Sequence, residues 1–181
     1  MTKLVAFGHK NLDLSRPQIM GILNVTPDSF SDGGRFFAGE LDLDKVLQAA
    51  EQMLADGANM LDIGGESTRP GAARVDEAEQ IDRVVPVVQA IRARAGADPA
   101  LAAIPISVDT TLPGVARAAI DAGADAINDV SGATECGQRM LTVAAATGAG
   151  LILMHRLLPP EQDSFSDRYE REPAYGDIVA E

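Results

Sequence analysis

The sequence predicts an α/β fold of the (β/α) barrel type, on three observations. Short apolar runs alternate with longer stretches whose apolar residues recur at helical spacing, the pattern of parallel strands joined by crossover helices. The runs end in polar residues on their carboxyl side: Asn24, Asp62, Asp109, Asn128 and His155. Three helix–Gly–Ala–strand junctions recur, DGANMLD (56–62), AGADAIND (122–129) and TGAGLIL (147–153), as expected of a repeated supersecondary unit. A doubly wound sheet shares this alternation, but no G-x-G-x-x-G follows the first strand, which disfavours its dinucleotide-binding form.

Taken in order, residues 3–7 and 11–14 flank Gly8, His9 and Lys10 and read as a hairpin, with His9 a solvated turn residue. The run Ile19 to Leu23 has the length of a strand buried on both faces and stops at Asn24. A long loop follows through Pro27, Asp28, Ser29, Phe30, Ser31, Asp32, Gly33 and Gly34. Val46, Leu47, Ala50, Met53 and Leu54 mark a helix that stops near Asp56-Gly57, where glycine supplies a left-handed cap. A strand from Asn59 to Ile63 breaks at Gly64-Gly65 into the loop GGESTRPGAARV.

The next helix opens with Asp76 and Glu79 in a capping-box arrangement and contains Pro86, expected to kink it. A loop through Asp98-Pro99 leads to a strand from Ile104 to Val108 that ends at Asp109. Pro113 suits the first turn of a helix running to about Asp121. A strand from Asp125 ends at Asn128-Asp129, a helix covers roughly 137–147, and a final strand runs from Leu151 to Met154.

With 181 residues one domain, 1–181, is expected, and 46% apolar against 23% charged residues is globular. No apolar run has the length of a membrane span, and no basic segment leads into a hydrophobic one at the N-terminus. The single Cys136 has no intrachain partner and suits a reducing compartment, so the cytoplasm is expected. A net charge of −12 argues against nucleic acid, so an anionic ligand would have to be gripped locally. Five strands fall short of a barrel of eight, which takes roughly 250 residues, so the chain reads as the N-terminal part of a longer domain.

Asn24, under a loop with two carboxylates and two serines, is either a ligand-binding amide or a loop cap, and Arg69 either grips phosphate oxygens or is a surface residue. Both loops belong to unusual segments. MGILNVTPDSFSDGG (20–34) and DIGGESTRPGA (62–72) resemble the two signatures of the dihydropteroate synthase family, and ISVDT (106–110) and INDVSG (127–132) resemble its next strand ends. The similarity runs from about Leu14 to Met154.

That resemblance implies a TIM barrel and a transferase of folate biosynthesis. The family joins (7,8-dihydropterin-6-yl)methyl diphosphate to 4-aminobenzoate, releasing diphosphate. It implies Mg²⁺ and diphosphate binding by Asn24 and diphosphate binding by Arg69. Thr68 and Pro70 match residues lining the aminobenzoate pocket, with Ser67 orienting the loop and Phe30 forming an aromatic wall. Asp109 and Asn128 match pterin contacts; Asp62, nearer the barrel floor, is expected to hydrogen-bond on the pterin side and Met154 to pack on the pterin face, each also suited to a structural role. Asp32 is expected to face the positive charge that develops as diphosphate leaves, making it catalytic together with Asn24 and Arg69. Partners are then small molecules, with a homodimer open.

Two departures stand out. The family completes its site with an Asp, a Lys, an Arg and a His from the last three strands, and this sequence has no counterpart of them. Its usual MHMxG-like turn is MHRLLPP (154–160) here, which introduces Arg156 beside His155. The alternatives are a truncated paralogue that binds pterin or a partner without catalysis, and a folate-dependent methyltransferase, a class that lacks both signature loops.

Overall fold

In a computed structural model, residues 3–26, 41–156, 158–162 and 176 are described. Strands β1 (Leu4–Phe7) and β2 (Lys10–Asp13) form the expected antiparallel hairpin. Its turn contains Gly8 at φ +61°, where a Cβ would also meet the Asp125 carbonyl oxygen at 2.2 Å, so only glycine fits. His9 is exposed at this turn.

Strands β3 (Met20–Asn24), β4 (Met60–Gly64), β5 (Ile106–Asp109), β6 (Ala126–Asp129) and β7 (Gly150–Leu153) form one parallel sheet in the order β3-β4-β5-β6-β7. Helices α1 (Leu43–Ala55), α2 (Glu77–Arg92), α3 (Pro99–Ala103), α4 (Pro113–Asp121) and α5 (Gln138–Thr147) lie between them in the chain. Consecutive βα units and parallel neighbours make this a TIM-barrel type of sheet with an N-terminal hairpin.

The core lies between the sheet's outer face and the helices. Leu23, Leu61, Ile63, Ile106, Val108 and Ile127 are buried against Val46 and Ala50 of α1, Val84, Val88 and Ile91 of α2, Val115 and Ala119 of α4, and Met140 of α5. Burial of each large side chain is worth about 1.5–3 kcal/mol. On the other face, Phe7 of the hairpin packs on Met60 and Ala126 and covers the amino end of the sheet.

The three repeated junctions share one backbone device. Gly57, Gly123 and Gly148 all have positive φ (104°, 114° and 68°), which lets each helix stop and the chain turn directly into a strand.

Three sequence expectations are corrected. The run Ile19 to Leu23 is not buried on both faces: β3 begins at Met20, Leu23 is buried under the helices, and Ile19 and Ile22 are 57% and 53% exposed. The segment around Asp98-Pro99 is not simply a loop: a short 3₁₀ turn (Ala93–Gly96) precedes α3, whose first turn is capped by Asp98 accepting from Leu101 N at 3.0 Å. With Leu101 fully buried, α3 displaces the start of β5 to Ile106. At α2, Asp76 caps Glu79 N at 2.8 Å as expected, but the Glu79 carboxylate pairs with Arg83 rather than closing a reciprocal box. Pro86 lies within α2, which runs as one helix from Glu77 to Arg92.

At the amino end of the sheet one carboxylate gathers four elements. Asp125 Oδ2 accepts from Lys10 Nζ (3.0 Å), Arg92 Nη2 (2.7 Å) and Ile106 N (2.8 Å). Arg92 also donates to the carbonyls of Gly123, Ala102 and Ile104, and Lys10 to that of Ile104. Hairpin, α2, β5 and β6 are thereby tied at the end opposite the polar strand termini.

Replacing Asp125 with Ala leaves two cations and a buried amide without their shared acceptor and is expected to cost about 3 kcal/mol of stability. Removing Asp121 from its exposed pair with Arg117 is expected to cost no more than about 0.5 kcal/mol. Urea unfolding of the two alanine variants measures the contrast.

Candidate functional site

The inner face of the sheet is built by register. Asn24 pairs with Gly64, Gly64 with Asp109, Asp109 with Asn128, and Asn128 with Ile152. Side chains alternate along a strand, so Asn24, Asp109 and Asn128 share one layer of one face. Asp62 and Ser107 occupy the layer beneath.

Hydrogen bonds join the layers. Ser107 Oγ donates to Asp62 Oδ1 at 2.5 Å, and Asn128 Nδ2 donates to Asp62 Oδ2 at 3.1 Å. The two residues five positions after Gly57 and Gly123 thus meet across the sheet. Burial pushes the Asp62 carboxyl above its ordinary value, and the bonds from Ser107 and Asn128 oppose that shift.

Asp109 is strongly perturbed. Its Oδ1 is buried and has no hydrogen-bond partner among the described residues. Burial first, then the neighbouring carboxylates of Asp62, Glu66 and Asp129, push its carboxyl up to about 8, with Arg156 pulling the other way. A buried carboxyl oxygen without a partner is costly unless a ligand supplies a donor.

Asn24 reaches over Gly64: a Cβ built at Gly64 would stand 3.2 Å from Asn24 Oδ1 and 3.7 Å from Asp109 Oδ2. Glycine keeps open the space between an amide oxygen and a carboxylate. Among the described residues no group of three His, Cys, Asp or Glu side chains could hold a metal ion.

The loop after β4 carries the other group of candidates. Its base is closed by Glu66, whose Oε1 accepts from Val75 N (2.6 Å) and whose Oε2 accepts from Arg74 Nη1 (3.1 Å). Within it Ser67 Oγ accepts from Arg69 N at 3.5 Å. Arg69 and Pro70 are half-buried. Thr68 lines a narrow crevice together with Asp109, Thr111 and Arg156.

Asn24, Asp62, Asp109 and Asn128 therefore come together on adjacent strands, and Thr68 approaches from above. Met154 lies just past β7 and is 43% exposed. His155 is exposed. Phe30 and Asp32 lie outside the described residues. Residue-by-residue reading missed Ser107, whose signal is its i, i+2 spacing from Asp109 in ISVD, and Glu135, for which the sequence carries none.

A parallel βα sheet with its polar layer at the carboxyl ends of the strands is the TIM-barrel type of arrangement, in which ligand sites lie at the strand mouths. The family model described as "Pterin binding enzyme" matches residues 20–180, and the chain belongs to that family. It is 45% identical over 167 residues to the dihydropteroate synthase of Synechocystis sp., covering 92% of this chain and 51% of that protein. Among solved structures it is similar to Yersinia pestis dihydropteroate synthase in a sulfonamide drug complex (46% identity, TM-score 0.78, 98% of this chain and 58% of that one). It is also similar to the Burkholderia cenocepacia enzyme complexed with 7,8-dihydropteroate (40% identity, TM-score 0.70, 99% and 55%). The chain spans about half the length of the curated relatives it matches. No helix among the described residues is long and apolar enough to cross a membrane.

The Asp109 shift sets a pH dependence. In the folded protein its carboxyl keeps its proton up to about pH 8, whereas the unfolded chain releases it near the ordinary value of 3.8. The folded state therefore binds the extra proton between these values, and stability falls as pH rises through that window. Asp109→Asn removes this contribution. The melting temperature of the ligand-free variant is expected to fall less than that of the parent between pH 5 and 8; parallel falls would contradict it.

Proposed function

We propose that this chain forms the pterin-binding part of a dihydropteroate synthase, a transferase that joins (7,8-dihydropterin-6-yl)methyl diphosphate to 4-aminobenzoate. The observation that carries this reading is the buried Asp109 oxygen without a donor, one strand from Asn128. A pterin edge offers a ring N–H and an exocyclic amino group, paired donors that would favour the ionised Asp109 carboxylate over the neutral acid of the ligand-free fold, and Asn128 can donate and accept beside it. The 7,8-dihydropteroate complex of a relative 40% identical supports the same ligand class.

In this reading Asp109 and Asn128 orient the pterin, Asp62 holds Asn128 through its 3.1 Å bond, and Met154 packs on the ring face. Arg69 grips diphosphate oxygens in bidentate fashion. Ser67, Thr68, Pro70 and Phe30 form the aminobenzoate side. Asn24 would hold Mg²⁺ through Oδ1, where Gly64 leaves room. When bound there, the ion neutralises charge gathering on the leaving diphosphate.

The C–O bond to diphosphate breaks with its electron pair going to diphosphate. The pterin methylene carbon becomes cationic, and Asp32 faces that charge. The amine lone pair of 4-aminobenzoate then forms the new C–N bond, and the amine proton leaves to diphosphate or solvent.

The test uses the product of the gene translated to its natural stop codon, with both substrates and Mg²⁺. Diphosphate and dihydropteroate are expected in equal amounts. Pterin binding without product would favour the non-catalytic reading, and neither binding nor product would overturn the proposal. Arg69→Ala is expected to lower kcat/KM for the diphosphate substrate roughly 10- to 100-fold, the worth of a charge-assisted contact. Asp32→Asn with unchanged turnover would remove Asp32 from the mechanism.

A further inference from the structure

One carboxylate at the rim of the sheet joins three loops. Glu135 lies in the turn between β6 and α5. Its Oε2 accepts from Thr111 Oγ1 at 2.7 Å and from Arg74 Nη2, and its Oε1 accepts from Arg156 Nη2. Thr111 follows β5, Arg74 belongs to the loop after β4, and Arg156 follows β7.

Arg74 passes the connection on. Through Nη1 it binds Glu66, which in turn holds Val75 N, so the base of the loop carrying Ser67 to Pro70 is fixed from both sides. That loop is tied a second time to the segment after β7, by Gly71 N donating to the Pro160 carbonyl at 2.7 Å. The turn presenting Glu135 is itself anchored. Ser131 Oγ accepts from Glu135 N at 3.3 Å and donates to buried Asp129 Oδ1 at 2.6 Å.

The charge state suits the task. Burial favours the neutral acid, but bonds from Arg74 and Thr111 and the charges of Arg74 and Arg156 outweigh it and hold the Glu135 carboxyl below its ordinary value. The bridge therefore joins an ionised carboxylate to two guanidinium groups, the strong class of hydrogen bond. Arg156 and Arg74 also line the crevice that contains Thr68 and Asp109.

We propose that Glu135 is a positioning residue: by clamping Arg74 and Arg156 with one carboxylate it holds the Ser67–Pro70 loop over the Asp109 end of the site before any ligand arrives. Its target is the aminobenzoate side of the reaction, and to that extent it rests on the function proposed above. Asp109 and Asn128 sit on the sheet, whose register does not depend on Glu135, so the groups that would face a pterin keep their places.

Glu135→Ala and Glu135→Gln variants of the gene product, translated to its natural stop codon, test this. Hydrogen exchange at the Gly71 and Val75 amides reads the clamp without any reaction. It should accelerate at least tenfold in Glu135→Ala, less in Glu135→Gln, while β4 and α2 are unchanged. In steady-state kinetics, KM for 4-aminobenzoate should rise roughly tenfold, with kcat and the calorimetric affinity for pterin-6-carboxylate within about twofold of the parent.

Unchanged exchange at Gly71 and Val75 would overturn the clamp. A parallel loss of pterin affinity and 4-aminobenzoate affinity would make Glu135 merely structural and also overturn it. A parent protein that forms no dihydropteroate would defeat the functional reading, and the exchange comparison alone would then decide the clamp.

Discussion

Strand register is the constraint on which the rest of this structure depends. Side chains alternate with a period of two, so a slip of one residue between any two neighbours would send a strand's inward residues to the helix-covered face. The observed pairing keeps Asn24, Asp109 and Asn128 in one inward layer and Leu23, Val108 and Ile127 in the outward core. The same alternation that buries the outward aliphatic residues under the helices thus collects carboxylate and amide groups on the other face. Core and site are two readings of one register.

The two ends of the sheet divide the work of holding that register. At the amino end, Asp125 satisfies Lys10, Arg92 and the Ile106 amide together, and the hairpin's Phe7 covers Met60 and Ala126. Every polar group named there has a partner, as expected where the task is stability. At the carboxyl end the balance differs. Asp109 keeps a buried oxygen without a partner and a carboxyl pushed up to about 8. Such a group reduces the stability of the ligand-free fold and gains its partner only when a donor binds.

Much of this was legible in the sequence, because the signals were local. The Gly stops of 57, 123 and 148, the Pro start of α4 and the polar residues closing β3, β5 and β6 follow from backbone sterics and burial within a few residues, whereas β4 runs past Asp62 to Gly64 and β7 stops at Leu153, short of His155. The signature loops added the family. What escaped had two physical causes. Helix α3 is too short to display a period, and Asp98-Pro99 reads equally as a turn or as an N-cap followed by Pro at the first helical position. The Glu135 bridge joins residues 24, 61 and 21 positions apart, and no spacing rule reaches across loops that only the pairing of neighbouring strands brings together. Asp62 stood between these cases: its distance from Gly57 matched that of Asn128 from Gly123, yet only the register turned that coincidence into a hydrogen bond.

The most direct measurement of the central claim is a crystal structure of the protein with a bound pterin. The inward layer predicts the pterin's donor edge within hydrogen-bond distance of Asp109 Oδ1, with Asn128 beside it and the sheet register unchanged. A pterin bound away from the strand mouths, or an Asp109 carboxyl that still lacks a donor in the complex, would contradict it.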